Sequence, residues 1–266
     1  VSRWSSKRIT IRVGQGALQA FEPGVATRPA PAMAFDPAAA RGAATSLESV
    51  LQGVLTGSPG AVRETLFEID SDACRFEVVG WIDGVTSREH RAALARGRFE
   101  SVYGPAARNW RIEVSEGGYR CGALAVAVPD AMLSAILGAC RRAGVRPGPI
   151  RPAAGRCIDR LLRKARGGAA WIVVPDRFDA FVGLVNRGSW LAALCVPLRQ
   201  ERLLAGLPDI LARESTLMPD EISGARVLVC SARPDTGGNP ASRTQAAVPN
   251  VIECGGVRLP LEWIGT

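Results

Sequence analysis

Three apolar runs, Trp171 to Val174, Phe178 to Val185 and Trp190 to Val196, follow one another with little between them but the turn signals Pro175-Asp176 and Asn186-Arg187-Gly188. Connections this short favour strands that fold straight back, so the stretch reads as an antiparallel meander. The beginning of the chain carries a smaller version of the same constraint. Ile9, Ile11 and Val13 alternate, Gly14-Gln15-Gly16 supplies a turn, and Leu18 to Phe21 returns as the second arm of a β-hairpin.

Helix and strand signals follow both openings. Thr45 and Glu48 form a capping box ahead of Leu47, Val50, Leu51 and Val54. Thr65 to Ile69 and Cys74 to Trp81 read as strands separated by Asp70-Ser71-Asp72. Thr86 and Glu89 form a second capping box, opening a helix with Ala92, Ala95, Phe99 and Val102 on one face and Gly104-Pro105 at its end. Trp110 to Val114 and Ala123 to Val128 are strand-like around Gly117-Gly118. Asp130 is the expected N-cap of a helix bearing Leu133, Ile136, Leu137 and Cys140, with Gly144 as its stop. A further helix is expected from about Pro152 to Ala165, another over Arg199 to Arg213, a strand at Arg226 to Cys230, and short strands at the end. Residues 22–42 and 232–244, rich in Pro, Ala and Gly, read as loops. The result is an α/β chain in two halves that change near residue 150, without a sequence repeat.

Length and composition exclude several classes. A chain of 266 residues that is 47% hydrophobic can bury a core, and no run approaches the length of a membrane-spanning helix. The net charge of +8 comes almost wholly from arginine, since Lys7 and Lys164 are the only lysines. Its densest stretch, Arg141, Arg142, Arg146, Arg151, Arg156, Arg160, Arg163, Lys164 and Arg166, has no interleaved aromatics to stack bases. It reads as a solvated or membrane-proximal face, and nucleic acid is not an expected partner. The seven cysteines (Cys74, Cys121, Cys140, Cys157, Cys195, Cys230 and Cys254) form no CxxC, and most lie in apolar segments as small buried hydrophobes. With His90 the single histidine, no metal site is expected.

Short motifs add little chemistry. Gly57-Ser58-Pro59-Gly60 lacks the Lys and Ser/Thr of a phosphate-binding loop, and Gly14-Gln15-Gly16 lacks the third glycine of a dinucleotide fingerprint. Asp235-Thr236-Gly237 copies an aspartic-protease triplet, but a single copy cannot form the required carboxylate pair. Glu68, Asp70 and Asp72 lie at alternate positions along a strand and turn, which reads as a solvated acidic face. The aromatics Trp81, Phe99, Tyr103 and Trp110 read first as the core of a small subdomain.

A resemblance gives these pieces an arrangement. Cys74-Arg75-Phe76-Glu77-Val78-Val79-Gly80-Trp81 is followed by Glu89 through Ala95, Phe99, Val102-Tyr103-Gly104, Ala106-Ala107 and Trp110. After these come Ala123-Leu124-Ala125-Val126-Ala127-Val128, Asp130 and Ala143-Gly144-Val145. Over roughly residues 45 to 195 the order resembles the PilM-type and GspL-type proteins of bacterial pilus and secretion machinery. That resemblance implies an α/β, actin-like fold with mixed sheets and two lobes around a nucleotide cleft. The first lobe would span residues 1–150, with a small inserted subdomain at about 73–121, and the second 151–266.

The same resemblance implies a degenerate cleft. An Asp-x-Gly hairpin followed by Lys aligns with Arg12-Val13-Gly14 and Gln19, so the acid is Arg12 and the lysine Gln19. The second hairpin falls at Val174-Pro175-Asp176, and the glycine pair that admits adenosine is replaced by Val229-Cys230-Ser231-Ala232. Arg12, Gly14, Gln19 and Asp176 are therefore expected to mark a vestigial site, with no cofactor and no catalysis. ATP with magnesium belongs to the alternative, a divergent ATPase or kinase using Asp176 or Asp179 as the metal-organising acid.

By the same implication the chain is a scaffold for a type IV pilus or type II secretion apparatus. It would capture the short cytoplasmic tail of an inner-membrane assembly protein in a groove, with strand addition as one mode. Arg75, Trp81, Arg98 and Tyr103 are the candidate rim. GspL-type proteins continue into a membrane helix, whereas this sequence reaches Thr266 without one. The expected form is thus separate and cytoplasmic, meeting the inner membrane only through partners.

Overall fold

The computed structural model describes residues 7–15, 17–21, 33–34, 47–57, 62–85, 87–176, 179–197, 203–215, 225–230, 251–254 and 257–263. In chain order they form β1 (Lys7–Gly14), β2 (Ala17–Phe21), β3 (Met33–Ala34), α1 (Leu47–Gly57), β4 (Val62–Ile69), β5 (Arg75–Val79), α2 (Arg88–Tyr103) and a 3-10 turn at Gly104–Asn109. Then follow β6 (Trp110–Val114), β7 (Ala123–Pro129), α3 (Asp130–Ala143), β8 (Arg146–Pro152), α4 (Gly155–Lys164), β9 (Ala169–Pro175), β10 (Ala180–Asn186) and β11 (Ser189–Val196). The last elements are α5 (Leu203–Ser215), β12 (Arg226–Val229), β13 (Val251–Cys254) and β14 (Val257–Trp263). Most of the expected loop at 22–42, all of 232–244, the cap residues Thr45 and Thr86, and the Asp235-Thr236-Gly237 triplet lie outside the described residues.

Contacts divide the chain into two compact units. One contains the elements up to Cys74 together with Val128–Ala153; the other contains Arg75–Ala127 and the chain from Ala154 onward, apart from Thr236–Gly238. The first unit is a five-stranded sheet of order β3-β2-β1-β4-β8. Its β1–β2 pair is the antiparallel hairpin expected from the sequence, while β1–β4 and β4–β8 are parallel. Ile9, Ile11, Val13, Phe67 and Ile69 are buried on one face, and in the same unit Val50, Leu51 and Leu55 of α1 and Ile136, Ala139 and Cys140 of α3 supply buried apolar side chains.

Sequence periodicity missed β8, whose run Arg-Pro-Gly-Pro-Ile-Arg-Pro looks like a breaker. It is tolerated because it is an edge strand, where only one side of the backbone has a neighbour to bond. Two local expectations change on α3. Asp130 is its first helical residue and Pro129 precedes it without a side-chain cap, while Leu137 is exposed. Gly144 does stop the helix, in the left-handed conformation at φ 65°, and Val145 N–H donates to the Cys140 carbonyl.

The second unit carries a six-stranded sheet of order β11-β10-β9-β12-β14-β13. The expected meander is present as β9, β10 and β11, all antiparallel. Trp171, Val173, Val182 and Leu184 pack with Leu207 and Leu211 of α5 and with Val227 and Val229 of β12. Alternate positions, Ile172, Val174 and Phe181, are also buried, so β9 and β10 are covered on both faces and read as continuous apolar runs.

The insertion is a three-stranded sheet, β5-β7-β6, with α2 on one face. Val79, Ala95, Phe99, Ala107, Ile112, Ala125 and Ala127 form its core, joined by Leu94, Tyr103, Trp110 and Val114 at the margin. Ser87, rather than Thr86, caps α2, accepting from His90 N–H at 3.1 Å. Val102 was expected on the buried face and is half exposed; Tyr103 turns inward instead and stacks on Phe99. On the opposite face of β5, Phe76 meets Phe181 edge to face, with ring centroids 4.8 Å apart.

A backbone clasp ties this insertion to β11. Trp190 N–H donates to Gly122 O at 3.1 Å, and Gly122 N–H donates to Ser189 Oγ at 2.8 Å. A Cβ at residue 122 would lie well inside van der Waals contact distance of the Trp190 carbonyl oxygen, so a larger residue would have to push the clasp apart. Gly122→Ala is expected to destabilise the second unit by about 1–3 kcal/mol, measured as a lower midpoint in urea unfolding.

Candidate functional site

The first unit carries a row of charge where a sheet usually carries carbon. Arg12 of β1, Glu68 of β4 and Arg151 of β8 occupy successive positions of one register, and Gln19 of β2 stands opposite Arg12 on its other side. Arg12 Nε lies 3.3 Å from Glu68 Oε2 and 3.8 Å from Asp70 Oδ1, and Arg151 Nη2 lies 3.2 Å from Glu68 Oε1. Arg12 and Glu68 are each only 4% exposed as side chains. Alternating sign across neighbouring strands is the favourable order, and a buried guanidinium demands such a partner.

These acids were expected on a solvated face. The structure corrects that: Glu68 is buried and Asp70 nearly so, because both lie on Arg12. Alternation along β1 puts Arg12 on the face opposite Ile9, Ile11 and Val13, and its burial there could not be foreseen without the β1–β4 register. The hairpin turn is closed from the same side. Gln15 N–H lies 3.2 Å from both Asp72 carboxylate oxygens, and Gln15 Nε2 donates to the Asp72 carbonyl at 2.9 Å. A Cβ on Gly14 would come within 2.9 Å of Asp70 Oδ2 and 3.2 Å of Asp72 Oδ1. A turn N–H of the kind that would face a phosphate is thus directed at a carboxylate of the chain itself.

Asp176, the acid at the corresponding turn of the second unit, is buried just beyond β9, and its N–H donates to the Asp179 carbonyl at 2.8 Å. Cys230 follows β12, and its sulfur lies 3.1 Å from that of Cys157 in α4. Both are buried, as expected of small apolar residues, yet they form a polar pair. The hydrogen bond with Cys157, reinforced by the nearby Arg160 guanidinium, brings the Cys230 thiol down to about 7 against the cost of burial. Among the described residues no group of His, Cys, Asp and Glu side chains could hold a metal.

The candidate rim residues separate into two places. Arg98 Nε lies 3.2 Å from Glu77 Oε2, and burial raises the Glu77 carboxyl despite that pairing. Tyr103 is also shifted upward, first by burial and then by Glu77, with the Arg75 charge opposing. Arg75 and Glu77 of β5 therefore form one group with Arg98 and Tyr103 of α2. Trp81 points elsewhere: its ring meets Tyr119 edge to face at 5.1 Å, and its Nε1 donates to Asp83 Oδ1 at 2.8 Å. Phe99, Tyr103 and Trp110 do share the insertion's core, and Trp81 does not.

Hairpin, mixed five-stranded sheet, antiparallel meander and inserted sheet together define an actin-like α/β fold. No protein-family model and no curated protein matches the sequence, but solved structures do match the fold. One is the cytoplasmic domain of EpsL, an inner membrane component of the type II secretion system of Vibrio cholerae. Its TM-score is 0.53 at 11% identity, over 98% of this chain and 91% of that one. Another is a PilM–PilN type IV pilus biogenesis complex, with TM-score 0.55 and 14% identity, over 97% of this chain and 88% of that one. At such identities the likeness shows the fold, which is the fold the sequence resemblance implied.

Two outcomes follow from the geometry. Arg12→Met leaves Glu68 and Asp70 without their shared cation and is expected to cost about 3 kcal/mol, read by urea unfolding. Cys230 has a folded value near 7, below an unfolded value of about 8.5. Its stabilisation is full above the unfolded value and lost as pH falls through the folded one. The melting temperature of the wild type is expected to rise relative to Cys230→Ser across that interval.

Proposed function

We propose that this chain is a non-catalytic assembly scaffold of a type IV pilus or type II secretion apparatus, docking the cytoplasmic tail of an inner-membrane protein. The observation that carries the reading is the occupied hairpin turn. Asp72 accepts from Gln15 N–H, and Arg12 stands where an acid is needed, already neutralised by Glu68 and Asp70. A phosphate approaching this turn meets carboxylates in place of open amide donors, and magnesium meets a guanidinium in place of a carboxylate. Catalytic machinery is thereby removed from a fold that hosts many functions.

The fold of the EpsL cytoplasmic domain and of the PilM–PilN complex supports the assembly role and a membrane-associated partner. No helix among the described residues is long and apolar enough to cross a membrane. For the docking face, Arg75, Arg98 and Tyr103 of the insertion supply paired cations and an aromatic edge around Glu77.

Isothermal titration with Mg-ATP, and with ADP in parallel, tests the nucleotide half. No saturable heat is expected at millimolar nucleotide. Saturable binding would overturn the scaffold reading and support a divergent ATPase or kinase, with Asp176 as the acid to mutate. The docking half is tested with purified cytoplasmic tails of inner-membrane assembly proteins. Arg98→Gln is expected to weaken tail binding by about tenfold or more, with the melting temperature followed alongside because Arg98 also pairs with Glu77; equal binding would move the docking face away from Arg98.

A further inference from the structure

The second unit also holds an open cavity of ≈ 580 Å³, within the size range of cavities that take ligands. Its floor is apolar, made by Leu124, Ile158, Leu162, Val185 and Trp190. Three arginines, Arg163, Arg166 and Arg187, line it with exposed side chains. None of the three has an ion pair or hydrogen-bond partner for its guanidinium among the described residues, in contrast to Arg12, Arg88, Arg98, Arg108 and Arg151. Glu116 and Asp159 also line the cavity, so the cations outnumber the acids without erasing them.

The backbone beneath one of these arginines is unusual. β10 and β11 are joined through Arg187 at φ 50° and Gly188 at φ 83°, between the paired residues Asn186 and Ser189. Two consecutive positive φ values are the mark of a type I′ turn, which selects Asn-Gly. Arginine in the first of those positions is disfavoured, and it holds a guanidinium at the tip of the turn. Gly167 and Gly188 leave bare backbone on the lining, with nothing within 4 Å of where a Cβ would lie.

We propose that this cavity binds an acidic peptide segment, one apolar side chain entering the floor while flanking carboxylates pair with Arg163, Arg166 and Arg187. A compact phosphate has no use for a lining of branched aliphatics, and Glu116 and Asp159 oppose a single dense negative charge. Carboxylates spaced along a strand meet the arginines one at a time, and the glycines let the main chain lie close. The site belongs wholly to the second unit and shares no residue with the group of Arg75, Glu77, Arg98 and Tyr103.

The test is selection of random dodecapeptides displayed on phage against the full-length chain. The strongest clones are then synthesised with a fluorescein label for anisotropy. Enriched sequences are expected to carry two or more carboxylates beside Leu, Ile, Phe or Trp. Their affinity should fall by about tenfold or more in Arg187→Asn and in Arg163→Glu. Arg187→Asn restores the preferred turn residue, so its melting temperature should match or exceed that of the wild type, separating lost binding from lost folding. Enrichment without acidic residues, acidic peptides that bind both variants as well as the wild type, or displacement by inorganic pyrophosphate at micromolar concentration would each overturn the assignment.

Discussion

A guanidinium on β1 cannot be left alone in a sheet interior. Once Arg12 is buried, its charge has to be met by groups delivered at the same height by neighbouring strands, since desolvating an unpaired cation costs several kcal/mol. β4 supplies Glu68 directly opposite and Asp70 at its end; β8 then supplies Arg151 to the other oxygen of Glu68. The row fixes the parallel register of three strands, because a slip of one residue would turn every charge onto the apolar face. It also sets the electrostatics of the hairpin turn, where Asp72 continues the acidic series and holds Gln15 N–H.

Sequence patterning went furthest where one rule acts at a time. The β1–β2 hairpin, the meander of β9 to β11, α4 and the glycine stop of α3 follow from alternation, turn residues and capping, all local. It failed where the answer lies in a partner far along the chain. β8 looks like a loop until its edge position is known. Glu68 and Asp70 look solvated until Arg12, more than fifty residues earlier, is placed beside them. Val102 and Tyr103 are adjacent in sequence, and only the packing of Phe99 and Trp110 decides which turns inward.

The candidate site was legible in the same uneven way. That Arg12 stands where the resemblance expects an acid was visible from the sequence. What occupies the turn was not, because Asp72 reaches it from the end of β4. The rim residues show the opposite error. Arg75, Arg98 and Tyr103 do gather, but Trp81 joins Tyr119 on another part of the insertion, since β5 ends before it.

The proline-bearing strand β8 has a meaning for assembly beyond its own pairing. Of its seven residues three are proline, and it forms one border of the first sheet. A border without its full set of amide donors cannot template another strand, whether from a second molecule or from an unfolded neighbour. The first unit therefore resists strand addition along that side, and pairing of newly made chains through this border is disfavoured.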